Sequence, residues 1–218
     1  MPQAPVAADV HQALDVHRDF GAERTLDPER PLDDLAEPRD FRIPTLREVL
    51  ETFPEELINI EIKATAPETT PYEAELAALL DEYGRGDDTI VVSFLDHANE
   101  MFKLYNSEVS TATATGETAA FWATAQGPLP GSPNPRYHAL QVPIELEGVT
   151  VVTEDFVNDA HANGLAVHVW TINDEADMRW LIDIGVDGIM TDRPTLLEEV
   201  IGSMHVKYKT NNGKGPKR

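Results

Sequence analysis

The sequence predicts an α/β protein built on a parallel sheet, and three observations carry that prediction. Short β-branched runs alternate with longer amphipathic stretches from residue 40 onward, glycines stand where helices hand over to strands, and one strand carries a polar face. The β-branched runs place six strands, at residues 57–63, 89–94, 109–113, 139–142, 166–171 and 188–191. Helices are expected between them at 72–83, 97–105, 118–125, 154–163 and 175–184, with a last one at 195–201 and a first at 46–52. Thr45 is the expected amino cap of that first helix, with Glu48 in the capping-box position. Gly164 and Gly185 fall just past predicted helix ends, where a left-handed cap suits a residue without a Cβ. Residues 126–137 carry Pro128, Pro130, Pro133 and Pro135 among glycines and read as a loop.

At 218 residues the chain is long enough for one domain with a sizeable core. The expected organisation is an irregular leader or remnant over 1–40, the βα domain over 41–203 and a disordered basic tail over 204–218. A formal charge of -22 repels phosphate polymers, which argues against nucleic acid as a partner. With no cysteine, disulfides and thiolate metal sites are excluded, so a metal would be held by oxygen or imidazole. No apolar run is long enough to cross a bilayer, so no stable membrane insertion is expected. Residues 1–8 lack the basic start and apolar stretch of a secretion signal. The expectation is a cytoplasmic location for the chain as it stands, or a secreted or periplasmic one if its true amino terminus lies upstream.

The strand at 57–63 shows which polar residues point the unusual way. Ile58, Ile60 and Ile62 form an apolar face suited to packing under helices, which turns Asn59, Glu61 and Lys63 toward the interior of a closed sheet. Interior charges must pair, bind a metal or meet a charged ligand, because an unpaired one costs several kcal/mol. Glu61 and Lys63 are therefore either an ion pair at a strand end or part of a site. The same alternation turns Ser93, Gln141, His168 and Trp170 inward, toward the carboxyl ends of their strands. In (β/α) barrels the active site gathers at that end.

In order and spacing, several motifs over residues 40–201 resemble the glycerophosphodiester phosphodiesterases. They are Ile43-Pro44-Thr45-Leu46, Asn59-Ile60-Glu61-Ile62-Lys63, Val92-Ser93-Phe94, Leu140-Gln141-Val142-Pro143, Val167-His168-Val169-Trp170-Thr171-Ile172-Asn173, and the closing run from Gly185-Val186-Asp187-Gly188 to Thr191-Asp192-Arg193-Pro194. The resemblance implies a TIM-type (β/α) barrel that hydrolyses small glycerophosphodiesters to sn-glycerol 3-phosphate and an alcohol, with a divalent cation, Ca2+ or Mg2+. It makes Glu61 a metal ligand, Lys63 a catalytic cation at the phosphate, Gln141 a pocket residue and Trp170 a contact for the substrate glycerol. Hard cations prefer carboxylate oxygen, and an ammonium beside one can neutralise charge developing on phosphoryl oxygens.

The family's front motifs are a His-Arg-Gly with a downstream Glu-Asn-Thr, a Glu-x-Asp pair and a His-Asp, and none is cleanly present here. His17-Arg18 lacks the following glycine. A second alignment makes His17 the later catalytic histidine, because Arg24-Thr25 trails it much as an Arg-Thr does in the family. His11 and His17 read otherwise as solvated leader histidines. The barrel is thus expected to be incomplete, with about six of eight strands and open edges that favour a homo-oligomer. Two rival readings remain beside the diesterase: an inactive barrel fragment that binds phosphodiesters or a protein, and a phospholipase-like diesterase.

Overall fold

The computed structural model describes residues 43–125 and 137–206 of the chain. The leader at 1–40 with His11 and His17, nearly all of the proline-rich loop, and the tail from 207 onward lie outside the described residues. Helix α1 (Leu46–Thr52) opens with the expected capping box: the Thr45 hydroxyl accepts from the Glu48 amide, and the Glu48 carboxylate accepts from the Thr45 amide at 2.8 Å. There follow β1 (Ile58–Glu61), α2 (Glu73–Glu82), β2 (Thr89–Val92), α3 (Asp96–Tyr105), β3 (Ser110–Thr111) and α4 (Thr115–Ala125). The second stretch contains β4 (Ala139–Val142), a hairpin of β5 (Glu145–Leu146) and β6 (Val149–Thr150), α5 (Glu154–Ala162), β7 (Ala166–Val169), α6 (Glu175–Asp183), β8 (Gly188–Ile189) and α7 (Pro194–Met204).

All the expected strands and helices are present, and most strands are shorter than the runs that announced them. β1 stops at Glu61, so Lys63 stands just beyond the ladder, and β7 stops before Trp170. The hydrophobic runs continue past the strands because the chain stays packed and paired there: the Ile62 and Trp170 amides, just beyond β1 and β7, still donate to the Val92 and Val142 carbonyls at 2.8 and 3.1 Å. Met204 is the last residue of α7, and His205 caps it in a left-handed conformation. Gly164 and Gly185 have φ of 72° and 87°, as their cap positions required. The β5–β6 hairpin was not foreseen. Its only sequence mark is Glu147-Gly148 between two-residue strands, both with positive φ, which is too short for period-two patterning to show.

The strands form two three-stranded parallel sheets, ordered β1-β2-β3 and β4-β7-β8. A parallel bridge between Ala112 and Ala139 joins them, flanked by backbone bonds from Thr113 to Ala139 and from His138 to Thr111, each 2.9 Å. Among the described residues the result is a continuous run of six parallel strands wrapped by helices, part of a (β/α) barrel. Ile58, Ile60 and Ile62 are buried against Leu76, Leu80 and Phe102 of α2 and α3. On the other sheet Leu140, Val142, Val167 and Val169 are buried among Phe156, Met178 and Leu181. The predicted outward faces are therefore the core, and the polar residues line the inner side.

Gly188 sits where β8 passes His168. A Cβ there would lie 2.8 Å from His168 Cδ2 and 3.2 Å from Cγ, too close for either ring or strand to stay in place. Gly188→Ala is expected to lower stability by about 1–3 kcal/mol, the usual cost of overpacking an ordered interior, as read from a denaturant midpoint.

Candidate active site

The inner face carries a chain of polar contacts between the two sheets. Asn59 of β1 donates through Nδ2 to Gln141 Oε1 of β4 at 3.2 Å, and Gln141 Nε2 returns a bond to Asn59 Oδ1 at 3.3 Å. The same Gln141 Nε2 faces His168 Nδ1 of β7 at 3.3 Å, so the neutral ring accepts there and carries its proton on Nε2. Three residues picked out by alternation alone thus meet, although the Gln141 amide is committed to its neighbours.

His168 is enclosed on this face, and burial pushes its pKa below the ordinary histidine value, partly opposed by the Asp187 carboxylate. The native state therefore refuses a proton that the unfolded chain accepts below about pH 6.5. Stability from this group is fully present above that pH and falls as the pH drops. Denaturant unfolding between pH 5 and 8 should show a steeper acid loss for the native sequence than for His168→Gln.

At the carboxyl ends the chemistry becomes ionic. Lys63 Nζ lies 2.7 Å from Glu61 Oε2, with the Glu61 side chain 12% exposed and that of Lys63 38% exposed. Glu61 Oε1 is buried without a hydrogen-bond partner. Both earlier alternatives are thus partly realised: the two residues pair, and one carboxylate oxygen remains uncommitted on the inner face. Ser93, buried just past β2, donates to the Ile62 carbonyl at 2.7 Å and accepts from the Leu95 amide at 3.0 Å, so it holds the rim together. Phe94 and Trp170 meet edge to face across the mouth, with ring centroids 5.6 Å apart, although β3 and β4 separate their strands in the sheet order.

The two closing motifs bind each other. Asn173 Oδ1 accepts from the Thr191 hydroxyl at 3.0 Å and the Asp192 amide at 2.9 Å, its Nδ2 donates to Asp192 Oδ2 at 2.9 Å, and Arg193 donates to the Asn173 carbonyl at 3.1 Å. Asp187 accepts from the Val167 amide and pairs with His161, both at 2.8 Å. Much of what makes these motifs recognisable is therefore structural. Sequence reasoning missed Thr65 and Glu73, which are buried and hydrogen-bonded to each other beside Lys63. No pattern marks a glutamate in the first turn of α2 as buried, since that position ordinarily faces water.

A cavity of about 400 Å³, lined by Asn59, Asp87, His138, His168 and Met190 among others, opens toward the amino ends of the strands. It lies at the opposite end from Lys63 and Trp170 and is not the site.

Among the described residues, the uncommitted Oε1 of Glu61 is the inner-face carboxylate oxygen that a divalent cation could use. No cluster of three or more His, Asp or Glu side chains exists among the described residues. Calcium takes six to eight oxygen ligands and magnesium six, so the described residues do not make such a site by themselves.

The parallel βα architecture, with an ionic pair and aromatic rim at the carboxyl ends of its strands, defines a protein of the (β/α)-barrel class. Residues 16–196 match the model of the glycerophosphoryl diester phosphodiesterase family, and the chain belongs to that family. Among curated relatives, "Probable glycerophosphodiester phosphodiesterase 2" of Mycobacterium tuberculosis is 34% identical over 167 residues, covering 73% of this chain and 60% of the relative. The glycerophosphodiester phosphodiesterase of Bacillus subtilis is 27% identical, covering 73% of this chain and 54% of its own length. The chain thus spans between about half and two thirds of the length of these relatives. In fold it is similar to a glycerophosphodiester phosphodiesterase from Parabacteroides distasonis, at 20% identity and TM-score 0.56, covering 75% of this chain and 66% of that one. It is also similar to an Oleispira antarctica phosphodiesterase solved with the product sn-glycerol-3-phosphate, at 21% identity and TM-score 0.53, covering 73% and 62%.

Proposed function

We propose that this protein is a phosphoric diester hydrolase that cleaves glycerophosphodiesters to sn-glycerol 3-phosphate and an alcohol, within glycerophospholipid metabolism. Water adds to phosphorus, the P–O bond to the alcohol breaks, and the departing oxygen takes up a proton. The observation that carries the reading is the Glu61–Lys63 pair on the inner face at the end of β1, with a buried carboxylate oxygen left uncommitted. Lys63 supplies positive charge to the phosphoryl oxygens, Trp170 with Phe94 forms a wall for the glycerol, and Gln141 holds the floor beneath them. His17 acts in proton transfer; it lies inside the stretch that matches the family, and Arg24-Thr25 follows it. Glu61 is the one ligand the described residues would contribute to a Ca2+ or Mg2+ ion.

Family membership and the product bound in the Oleispira neighbour support the substrate class. The outer edges of β1 and β8 have no strand partner among the described residues, which leaves self-association open to them. No described helix is long and apolar enough to cross a membrane. The pairing of Glu61 with Lys63 is the observation on which a second reading rests, a barrel that binds phosphodiesters without turnover.

Release of sn-glycerol 3-phosphate from glycerophosphocholine, with calcium, with magnesium and with chelator, separates the two. Metal-dependent product is expected, reduced about a hundredfold or more in Glu61→Gln, since losing about 3 kcal/mol of transition-state charge stabilisation has that effect on rate. Binding without product would establish the second reading instead.

A further inference from the structure

The four residues that follow Glu61 are held from two sides. The Ile62 amide donates to the Val92 carbonyl at 2.8 Å, and its carbonyl accepts from the buried Ser93 hydroxyl at 2.7 Å. The Thr65 hydroxyl donates to the Glu73 carboxylate, with Thr65 2% and Glu73 1% exposed. The Thr65 carbonyl in turn accepts from Thr69 at 3.1 Å, closing the turn on itself.

A buried carboxylate is an expensive way to fill space, and an apolar side chain would pack there at less cost. What the carboxylate adds is direction: it fixes one hydroxyl, and through it the backbone two residues beyond Lys63. The first turn of α2 favours a negative charge, which offsets part of the burial cost. Lys63 needs such support, because its ladder ends before it and its four-carbon stem has many rotamers. A misplacement of about 1 Å at a reacting centre can cost about a hundredfold in rate.

We propose that the buried Thr65–Glu73 pair is a positioning device that fixes the β1–α2 turn so that Lys63 is presented to the phosphoryl group, a role that rests on the diesterase reading above. Thr65 and Glu73 act through Lys63 and do not touch substrate.

The test compares Thr65→Val, which keeps the shape and removes the hydroxyl, with Thr65→Ser, which keeps the hydroxyl. Steady-state kinetics on glycerophosphocholine and amide hydrogen exchange are measured on each full chain. In Thr65→Val, kcat is expected to fall about tenfold with KM nearly unchanged, while exchange at residues 62–65 speeds about tenfold and exchange in β4 and β7 stays as it was. Thr65→Ser is expected to restore both readouts. Glu73→Leu, which keeps the bulk and removes the acceptor, is expected to speed exchange at residues 62–65 in the same way and serves if Thr65→Val does not fold. Unchanged exchange at 62–65 in Thr65→Val overturns the device. So does faster exchange with unchanged kcat, or faster exchange spread evenly over both sheets, which would mark a purely structural role. A native chain without turnover overturns the diesterase reading itself; that outcome is distinguishable because exchange is read without substrate.

Discussion

Lys63→Met is expected to lower kcat on a glycerophosphodiester by about a hundredfold to a thousandfold under the proposed function, the range seen when one preorganised donor to a developing oxyanion is removed. Methionine keeps most of the stem and removes the charge, so the loss reports charge and not volume. Glu61 complicates the result in an informative way. Its carboxylate is mostly enclosed and has the Lys63 ammonium as its partner on one oxygen, with none on the other. Removing the lysine leaves that charge poorly compensated, and stability should fall by about 1–3 kcal/mol. The lysine is itself partly solvated, which keeps the loss below that of a fully buried pair. The paired change Glu61→Gln with Lys63→Met removes both charges and should recover much of the stability while leaving the chain without turnover. Thermal unfolding of the single and double variants, beside their kinetics, separates the two roles of the lysine.

His17→Asn is expected to cost about a hundredfold to ten-thousandfold in kcat, the ordinary span of general acid–base help. The pH profile is the sharper readout: the limb of kcat/KM that reflects the histidine should disappear in the variant. A substrate with a more acidic leaving alcohol needs less protonation, so its rate should fall less. An unchanged rate in His17→Asn would return this residue to the solvated leader histidine that its surroundings in the sequence also allow.

The architecture was legible because each βα unit announces itself locally. Capping by Thr45 and Glu48, left-handed caps at Gly164 and Gly185, and the alternation of Ile58, Ile60 and Ile62 with Asn59 and Glu61 are short-range signals, and all are realised. Strand ends were less legible, since an apolar run continues wherever the chain stays buried, whether or not its amides still pair. The inner contact chain was half visible: alternation places Asn59, Gln141 and His168 on one side but cannot show that their amides and ring join across three strands. Thr65 and Glu73 were invisible, because their burial depends on how the β1–α2 turn folds back, a long-range outcome without periodic trace. The same holds for Asn173 and Asp192, whose motifs were recognised by resemblance and whose mutual hydrogen bonds only the structure explains.

The backbone seam between the two sheets is narrow, one bridge at Ala112 and Ala139 with two flanking bonds beside the Asn59–Gln141 side-chain pair, while each sheet has its own hydrophobic cluster. Phe94 belongs to one half and Trp170 to the other, and their rings close the mouth above that seam. Anything gripped between those rings and Lys63 would staple the halves together, so a bound molecule would do more than raise the midpoint of unfolding. It would tie the unfolding of one half more closely to that of the other.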